Sequence, residues 1–370
     1  MTAIARDLST AADVLAYLED TPFTSTKAIP LAGGFGNYVF RLHLKVPYEG
    51  HETLVLKHGK PYLPGNQAFA FSLDRQTYEV GALKRIREWL PNDSLVTVPV
   101  VHLYDNVAAV IIMDDCGEGF ATLKQLMLDS PPSSTIAQQI GRELGQFLAR
   151  LHTWSTSNES VLDFFDKNAQ ARAISVYATY GRIISTLKGQ DAPPAVVDPV
   201  LDIPPDDLSS VQKIAEQTTK EMMTTKETLV MGDFWPGNVI VVWSNDASPP
   251  TLERIYILDW ELVKPGIAGL DVGQFLAEMH LLRRCRPYCA ESASAVMNAF
   301  QESYRAAHEG PVSEVADKAL VHVGAHLVVW TPRNDWGTKE KTRELVQEGV
   351  LYLLSGGRGE AEEIVKGLRG

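Results

Sequence analysis

The sequence predicts an α+β chain in which an antiparallel sheet is followed by a mainly helical remainder. Three observations carry this. Short apolar runs broken by Gly, Pro, Asn and Asp turns continue as far as Met113. From Ile136 the period changes to that of a helix, with Ile136, Ile140, Leu144, Leu148 and Leu151 on one face. Two strand-like apolar runs then return, broken by Gly232-Asp-Phe-Trp-Pro-Gly-Asn238 and by Asp259-Trp-Glu261.

The elements follow in order. Ser9 to Leu18 pairs a capping residue with apolar Val14, Leu15 and Leu18, which predicts a short amphipathic helix. Lys27–Leu31 and Tyr38–Leu44 read as strands around Ala32-Gly-Gly-Phe-Gly-Asn37, and Thr53–His58 as a third strand that delivers Lys57 from an apolar context. Asp74–Glu88 reads as a helix with Tyr78, Ala82, Leu83 and Ile86 on one face. Thr97–Leu103 and Ala108–Met113 read as two further strands, ending at Asp114-Asp-Cys-Gly117. The long helix closing at His152-Thr-Trp154 precedes a mainly helical insert, 164–221, which Asp191-Ala-Pro-Pro194 and Asp202-Ile-Pro-Pro-Asp206 divide. Lys264-Pro-Gly266 reads as a loop, Gly269 begins a helix, and the rest is helical, with His322, His326 and Trp330 spaced by four.

At 370 residues the chain has room for two domains, divided here as 1–113 and 114–370. The 45% apolar and 22% charged residues are those of an ordinary soluble protein. A net charge of −12 argues against a nucleic-acid surface built on general basicity. No apolar run reaches the roughly 18 residues that span a bilayer, so no membrane partner is expected. Met1–Thr10 lacks the pattern of a signal peptide, which leaves a cytoplasmic location. Cys285 and Cys289 share a helix face but have no companion pair at finger spacing, so structural thiols are expected. His152 reads as a packed core histidine.

The chemistry lies in the interrupted runs. Asp233 and Asn238 stand five positions apart in a short loop, and Asp259 follows on the next run, across the turn Asn245–Pro250. Asp and Asn are also common in plain turns. Asp259 and Glu261, however, interrupt an apolar run, where an unpaired carboxylate is costly to desolvate, so a cation or hydrogen-bonding partner is expected beside them. The spacing suits phosphoryl transfer: Asp233 orients an attacking hydroxyl and takes its proton, while Asn238, Asp259 and Glu261 hold magnesium against nucleotide phosphates. Gly33, Gly34, Phe35, Gly36 and Asn37 then form the loop over ATP. Lys57 meets the phosphates, with Glu79 as its ion-pair partner and Glu88 as the fallback. The backbone from Met113 to Asp115 faces adenine.

Gly-Asp-Phe-Trp-Pro-Gly-Asn resembles the His-Gly-Asp-x4-Asn loop of the aminoglycoside phosphotransferase and choline kinase superfamily, and Asp-Trp-Glu resembles the Asp-x-Glu of methylthioribose kinases. Leu229-Val-Met, Trp235, Ile255–Leu262 and Leu270-Asp271 are similar to methylthioribose kinase-like small-molecule kinases of fungi, and the likeness covers most of the chain. The resemblance implies a protein kinase-like bilobal fold and a phosphotransferase with an alcohol group as acceptor. It further implies ATP and Mg2+ as cofactors and an Asp271 that braces the catalytic loop. Met231 replaces the family's His, and a flexible apolar side chain can fill the same space. The absence of Asp-Phe-Gly and Ala-Pro-Glu argues against a protein substrate. A hydroxylated small molecule is the expected partner: a 4-hydroxytryptamine-like indole, a methylthioribose-like sugar or an amino alcohol. Trp235, His326 and Trp330 join Asp233 as acceptor-site candidates, although the His322/His326/Trp330 stripe reads equally as core. A nucleotide-binding module without transfer is the competing reading.

Overall fold

The computed structural model describes residues 7–31, 36–117, 120–190, 192–244, 251–360 and 362–370. Packing divides it into Met1–Phe120 with Ile240–Glu261, and Ala121–Val239 with Leu262–Gly370. The division drawn from sequence at 113 falls inside the last strand of the first unit's main sheet, and the run 240–261 joins that unit from far along the chain.

The first unit starts with α1 (Ala11–Tyr17), where the Thr10 hydroxyl accepts the Asp13 N–H and satisfies a donor that a helix start leaves open. β1 (Ser25–Pro30), β2 (Asn37–Tyr48) and β3 (His51–Gly59) follow. The β2–β3 turn is Glu49-Gly50 with φ of 51° and 91°, the paired left-handed conformation that suits a tight, twisted hairpin. The short pair β4 (Tyr62–Leu63) and β5 (Asn66–Ala70) leads to α2 (Asp74–Trp89), which buries Ala82, Leu83 and Ile86.

The segment Thr97–Leu103 is two strands and not one. β6 (Val96–Thr97) and β7 (Val101–Asp105) are separated at Pro99, which lacks the N–H that a continuous ladder needs. β7 pairs with β8 (Val110–Asp114), and the main sheet runs β1-β2-β3-β8-β7, antiparallel throughout. Phe40, Leu42, Leu54, Leu56, Val110 and Ile112 form its core against Val14 of α1 and Leu18, which caps that helix.

The second unit opens with β9 (Ala121–Thr122), α3 (Leu123–Asp129) and α4 (Ser134–Thr156). Ile140, Leu144, Leu148 and Leu151 of α4 are fully buried, as their spacing predicts. The insert is helical: α5 (Glu159–Asp166), α6 (Ala169–Ala178), α7 (Ile183–Leu187), α8 (Pro194–Val197) and α9 (Pro205–Thr224). β10 (Thr228–Val230) precedes the Asp233 loop. β11 (Val239–Ser244) and β12 (Thr251–Ile257) lie mostly in the first unit, where β12 runs parallel to β6 with Ile255 opposite Val96. The expected turn Asn245–Pro250 lies outside the described residues. β13 (Lys264–Gly266), expected as a loop, pairs antiparallel with β10, Leu229 opposite Pro265. Three residues are too few to show a strand period in sequence. The chain ends in α10 (Ala268–Cys285), α11 (Ala290–Ala307), α12 (Val312–Trp330), α13 (Lys339–Gly357) and α14 (Lys366–Arg369). Among the described residues no helix is long and apolar enough to cross a membrane.

Candidate active site

In the first unit the strand β3 carries Lys57 into a buried acidic cluster. Its Nζ donates to Glu79 Oε1 at 2.7 Å and to Asp259 Oδ1 at 2.5 Å, and lies 4.0 Å from Glu261 Oε2. Glu79 and not the exposed Glu88 is therefore the partner on α2. Burial alone would lower Lys57, but Asp259, Glu79 and Glu261 together outweigh it and hold the ammonium above its ordinary range. Burial pushes Glu79 up to about 7 against the pull of Lys57. Burial and then Asp259 raise Glu261, against the pull of Lys57 and Arg75. Asp259 sits at φ 66°, a left-handed conformation that costs a residue with a side chain of order 1–3 kcal/mol and is typical of functional sites.

Glu261 is tied to the residue that closes the glycine loop. Its Oε2 accepts from Asn37 Nδ2 at 2.9 Å and from Arg75 Nε at 3.1 Å. Arg75, 2% exposed, also donates to the Gly36 carbonyl, to Asn37 Oδ1 and to the carbonyls of Lys60, Phe71 and Ser72, with its guanidinium 3.9 Å from the Phe71 ring centre. Gly36 must be glycine for this approach, since a Cβ there would meet Glu261 Oε1 at 2.6 Å. Gly33, Gly34 and Phe35 lie outside the described residues. Met113 is buried in β8, and the Asp115 carboxylate beyond it accepts two bonds from Arg41, at 2.6 and 3.0 Å.

In the second unit the loop after β10 holds Asp233. Gly232 has φ 80°, and a Cβ on it would meet Lys264 Nζ at 2.2 Å and the Leu262 carbonyl at 2.6 Å. The Asp271 carboxylate accepts the N–H groups of Met231 and Gly232 at 2.7 and 2.9 Å, which is the bracing role expected of it. Met231 is fully buried. His152 is core: its Nδ1 meets the Tyr304 hydroxyl at 2.8 Å. The Asp233 carboxylate is held from both sides, by Asn238 Nδ2 at 3.0 Å and by Gln274 Nε2 at 2.7 Å.

Asp233 lines a cavity of about 230 Å³ together with Lys264, Asp271, Gln274, His322, His326 and Trp330. The α12 stripe thus faces a cavity, with His322 and His326 buried and Trp330 half-buried. Burial lowers Lys264 to about 8, with Asp271 and Asp233 opposing. His322 meets the Tyr180 hydroxyl at 3.1 Å and is lowered to about 3 by burial and then by His326 and Lys264. His326 Nε2 lies 2.9 Å from Glu278 Oε1. Despite burial, Glu278 is lowered, by His326 and then Lys124. Trp235 is not part of that lining; it faces Lys124, whose Nζ lies 4.8 Å from its ring centre.

The model of the phosphotransferase enzyme family (APH) matches residues 27–311. The chain belongs to that family. The 4-hydroxytryptamine kinase of Psilocybe cyanescens is 33% identical over 358 residues, covering 93% of this chain and 92% of the relative. Its counterpart from Psilocybe cubensis is 32% identical over 359 residues, 94% and 93% of the two chains. A choline/ethanolamine kinase family protein from Mesorhizobium loti aligns with a TM-score of 0.50 at 14% identity over 97% of each chain, a likeness of fold. The sheet-then-helices architecture is the kinase-like fold of that family, and the chain is a phosphotransferase acting on an alcohol group, a small-molecule kinase.

Three residues of this phosphotransferase escaped the sequence reading. Gln274 carried a signal, lying three positions after Asp271 and so on the same helix face. Lys264 sat in a segment read as loop. Arg75 looked like any charge in a first helical turn, since nothing local marks a side chain that reaches Lys60, Gly36, Asn37 and Glu261 across 15 to 186 positions.

Proposed function

We propose that the chain is an ATP- and magnesium-dependent kinase that phosphorylates a hydroxyl of a small planar metabolite bearing an amine, of the 4-hydroxytryptamine kind. The observation that carries this is the Asp233 carboxylate, held by Asn238 and Gln274 and facing a cavity walled by His322, His326 and Trp330. Aromatic and imidazole walls suit a planar acceptor. The relatives named for 4-hydroxytryptamine support that class.

Asp233 accepts a hydrogen bond from the acceptor hydroxyl and takes its proton as the oxygen bonds to phosphorus. Lys57, kept cationic by its three carboxylates, offers its charge to the nucleotide phosphates. Asp259 and Glu261 are oxygen donors that, with Glu79, come within 4.8 Å of one another, and hard oxygen donors fit magnesium. Asp259 and Glu261 would hold the ion, and the sequence spacing adds the Asn238 side-chain oxygen as a further donor. When bound, it neutralises charge on the transferring phosphoryl group. The Gly33–Asn37 loop covers the nucleotide, and the Met113–Asp115 backbone faces its adenine.

The test compares wild type with Asp233→Asn, using magnesium-ATP and 4-hydroxytryptamine, methylthioribose and choline as acceptors. Transfer to the indole is expected to dominate, and in the variant to fall at least about a hundredfold with ATP affinity nearly unchanged. An undiminished rate in the variant removes Asp233 from the chemistry. Binding of ATP with no transfer to any acceptor would favour a nucleotide-binding module.

A further inference from the structure

We propose that His51, His102 and Asp114 form a binding site for a zinc-class divalent ion, independent of the phosphotransfer site. The three residues gather at one end of the main sheet: His51 opens β3, His102 lies in β7 and Asp114 ends β8. Asp114 pairs with Leu54, three residues along β3 from Lys57, a separation of about 10 Å. His102 Nε2 is 2.9 Å and His51 Nε2 3.9 Å from the same oxygen, Asp114 Oδ1. One donor atom from each of the three lies within 4.8 Å of the others. Ligand atoms around a tetrahedral zinc with bonds near 2.0 Å are about 3.3 Å apart, so the ion enters with side-chain shifts of roughly 1 Å or less.

The surroundings orient these donors as metal sites do. Glu49 Oε2 lies 3.6 Å from His102 Nδ1, the ring nitrogen that does not face Asp114, which is the carboxylate–imidazole arrangement that fixes a ligating histidine. The Val100 N–H donates to Asp114 Oδ2 at 2.9 Å, leaving Oδ1 toward the imidazoles. The Tyr48 ring packs edge-on to His102 at 5.5 Å. The side chains of His102 and Asp114 are 5% and 13% exposed, whereas His51 is 41% exposed and closes the site from the solvent side. A plain His102–Asp114 hydrogen bond would need neither His51 nor Glu49. Two imidazoles and one carboxylate select zinc, cobalt or nickel over magnesium and calcium. An ion here would tie the β2–β3 turn to β7 and β8, beside Asp115.

The test uses the full chain with any histidine tag removed. Zinc chloride is titrated calorimetrically and cobalt chloride by visible absorption. The expected result is one zinc equivalent, with the cobalt form showing ligand-field bands of a low-coordinate nitrogen–oxygen site. His51→Ala, at an exposed position and checked for folding by circular dichroism, should weaken zinc by more than about tenfold, and Glu49→Gln by about tenfold, as outer partners of metal ligands do. Asp259→Asn should retain that equivalent. Absence of binding in wild type, unchanged affinity in His51→Ala, or loss of the equivalent from Asp259→Asn instead would each overturn the proposal.

Discussion

Lys57 shows what one residue must balance. It is 5% exposed and neutralises Glu79 at 2.7 Å and Asp259 at 2.5 Å. Breaking a buried ion pair from one side leaves an uncompensated charge and costs about 3–5 kcal/mol. Lys57→Met is therefore expected to lower unfolding free energy by that order and turnover by orders of magnitude. Adding Glu79→Gln should restore much of the stability and none of the turnover. Urea denaturation beside initial-rate kinetics checks this, and a double variant as unstable as the single one would contradict the coupling. The Lys57–Glu79 pair was legible because a strand lysine followed by a helix glutamate is a local pattern. Glu88 was the fallback in sequence, and its exposed place on α2 leaves the pair to Glu79.

At the scale of elements, the first turn of α2 and the close of the glycine loop act as one piece through Arg75. Arg75→Met removes bonds to Gly36, Asn37 and Glu261 together, so the KM for magnesium-ATP should rise at least about tenfold while the acceptor KM stays near wild type. Equal rises in both would point to general unfolding. The helix α12 yields a pH prediction. His322 is lowered to about 3 from the ordinary 6.5, so between those values the folded chain binds fewer protons than the unfolded one. Stability from this group is complete above the unfolded pKa and is lost as pH falls toward the folded one. Across that window His322→Gln should lose stability less steeply than wild type, by up to about 1.4 kcal/mol per pH unit, measured from urea transitions at stepped pH. Identical slopes would mean that His322 titrates normally in the fold. Long elements such as α2, α4 and α12 were readable from period; β6 and β13 were not, because strands of two or three residues exist only through their partners.

For the whole molecule, the residues proposed for the phosphate site stand in motifs that sequence shows, and the cavity beside Asp233 does not. Lys57, Asp233, Asn238 and Asp259 lie in motifs whose spacing is set by short loops. The cavity is assembled from α6, α9, β10, β13, α10 and α12, and its lining spans Ile174 to Trp330, so no window of sequence contains it. The same distribution makes ligand linkage a global measurement. A ligand that binds only the folded chain adds RT ln(1 + [L]/Kd), about 2.7 kcal/mol at a hundred times Kd. Spread over the unfolding entropy of a chain of this length, that is a rise in melting temperature of a few degrees. Magnesium-ATP should therefore raise the wild-type melting temperature by a few degrees, and ATP with a chelator by less, because Lys57 remains but the ion that Asp259 and Glu261 would hold does not. In Asp259→Asn the two conditions should coincide. Scanning calorimetry of both proteins under both conditions decides it: a magnesium-dependent rise that survives intact in the variant would move the ion away from Asp259 and require another set of ligands.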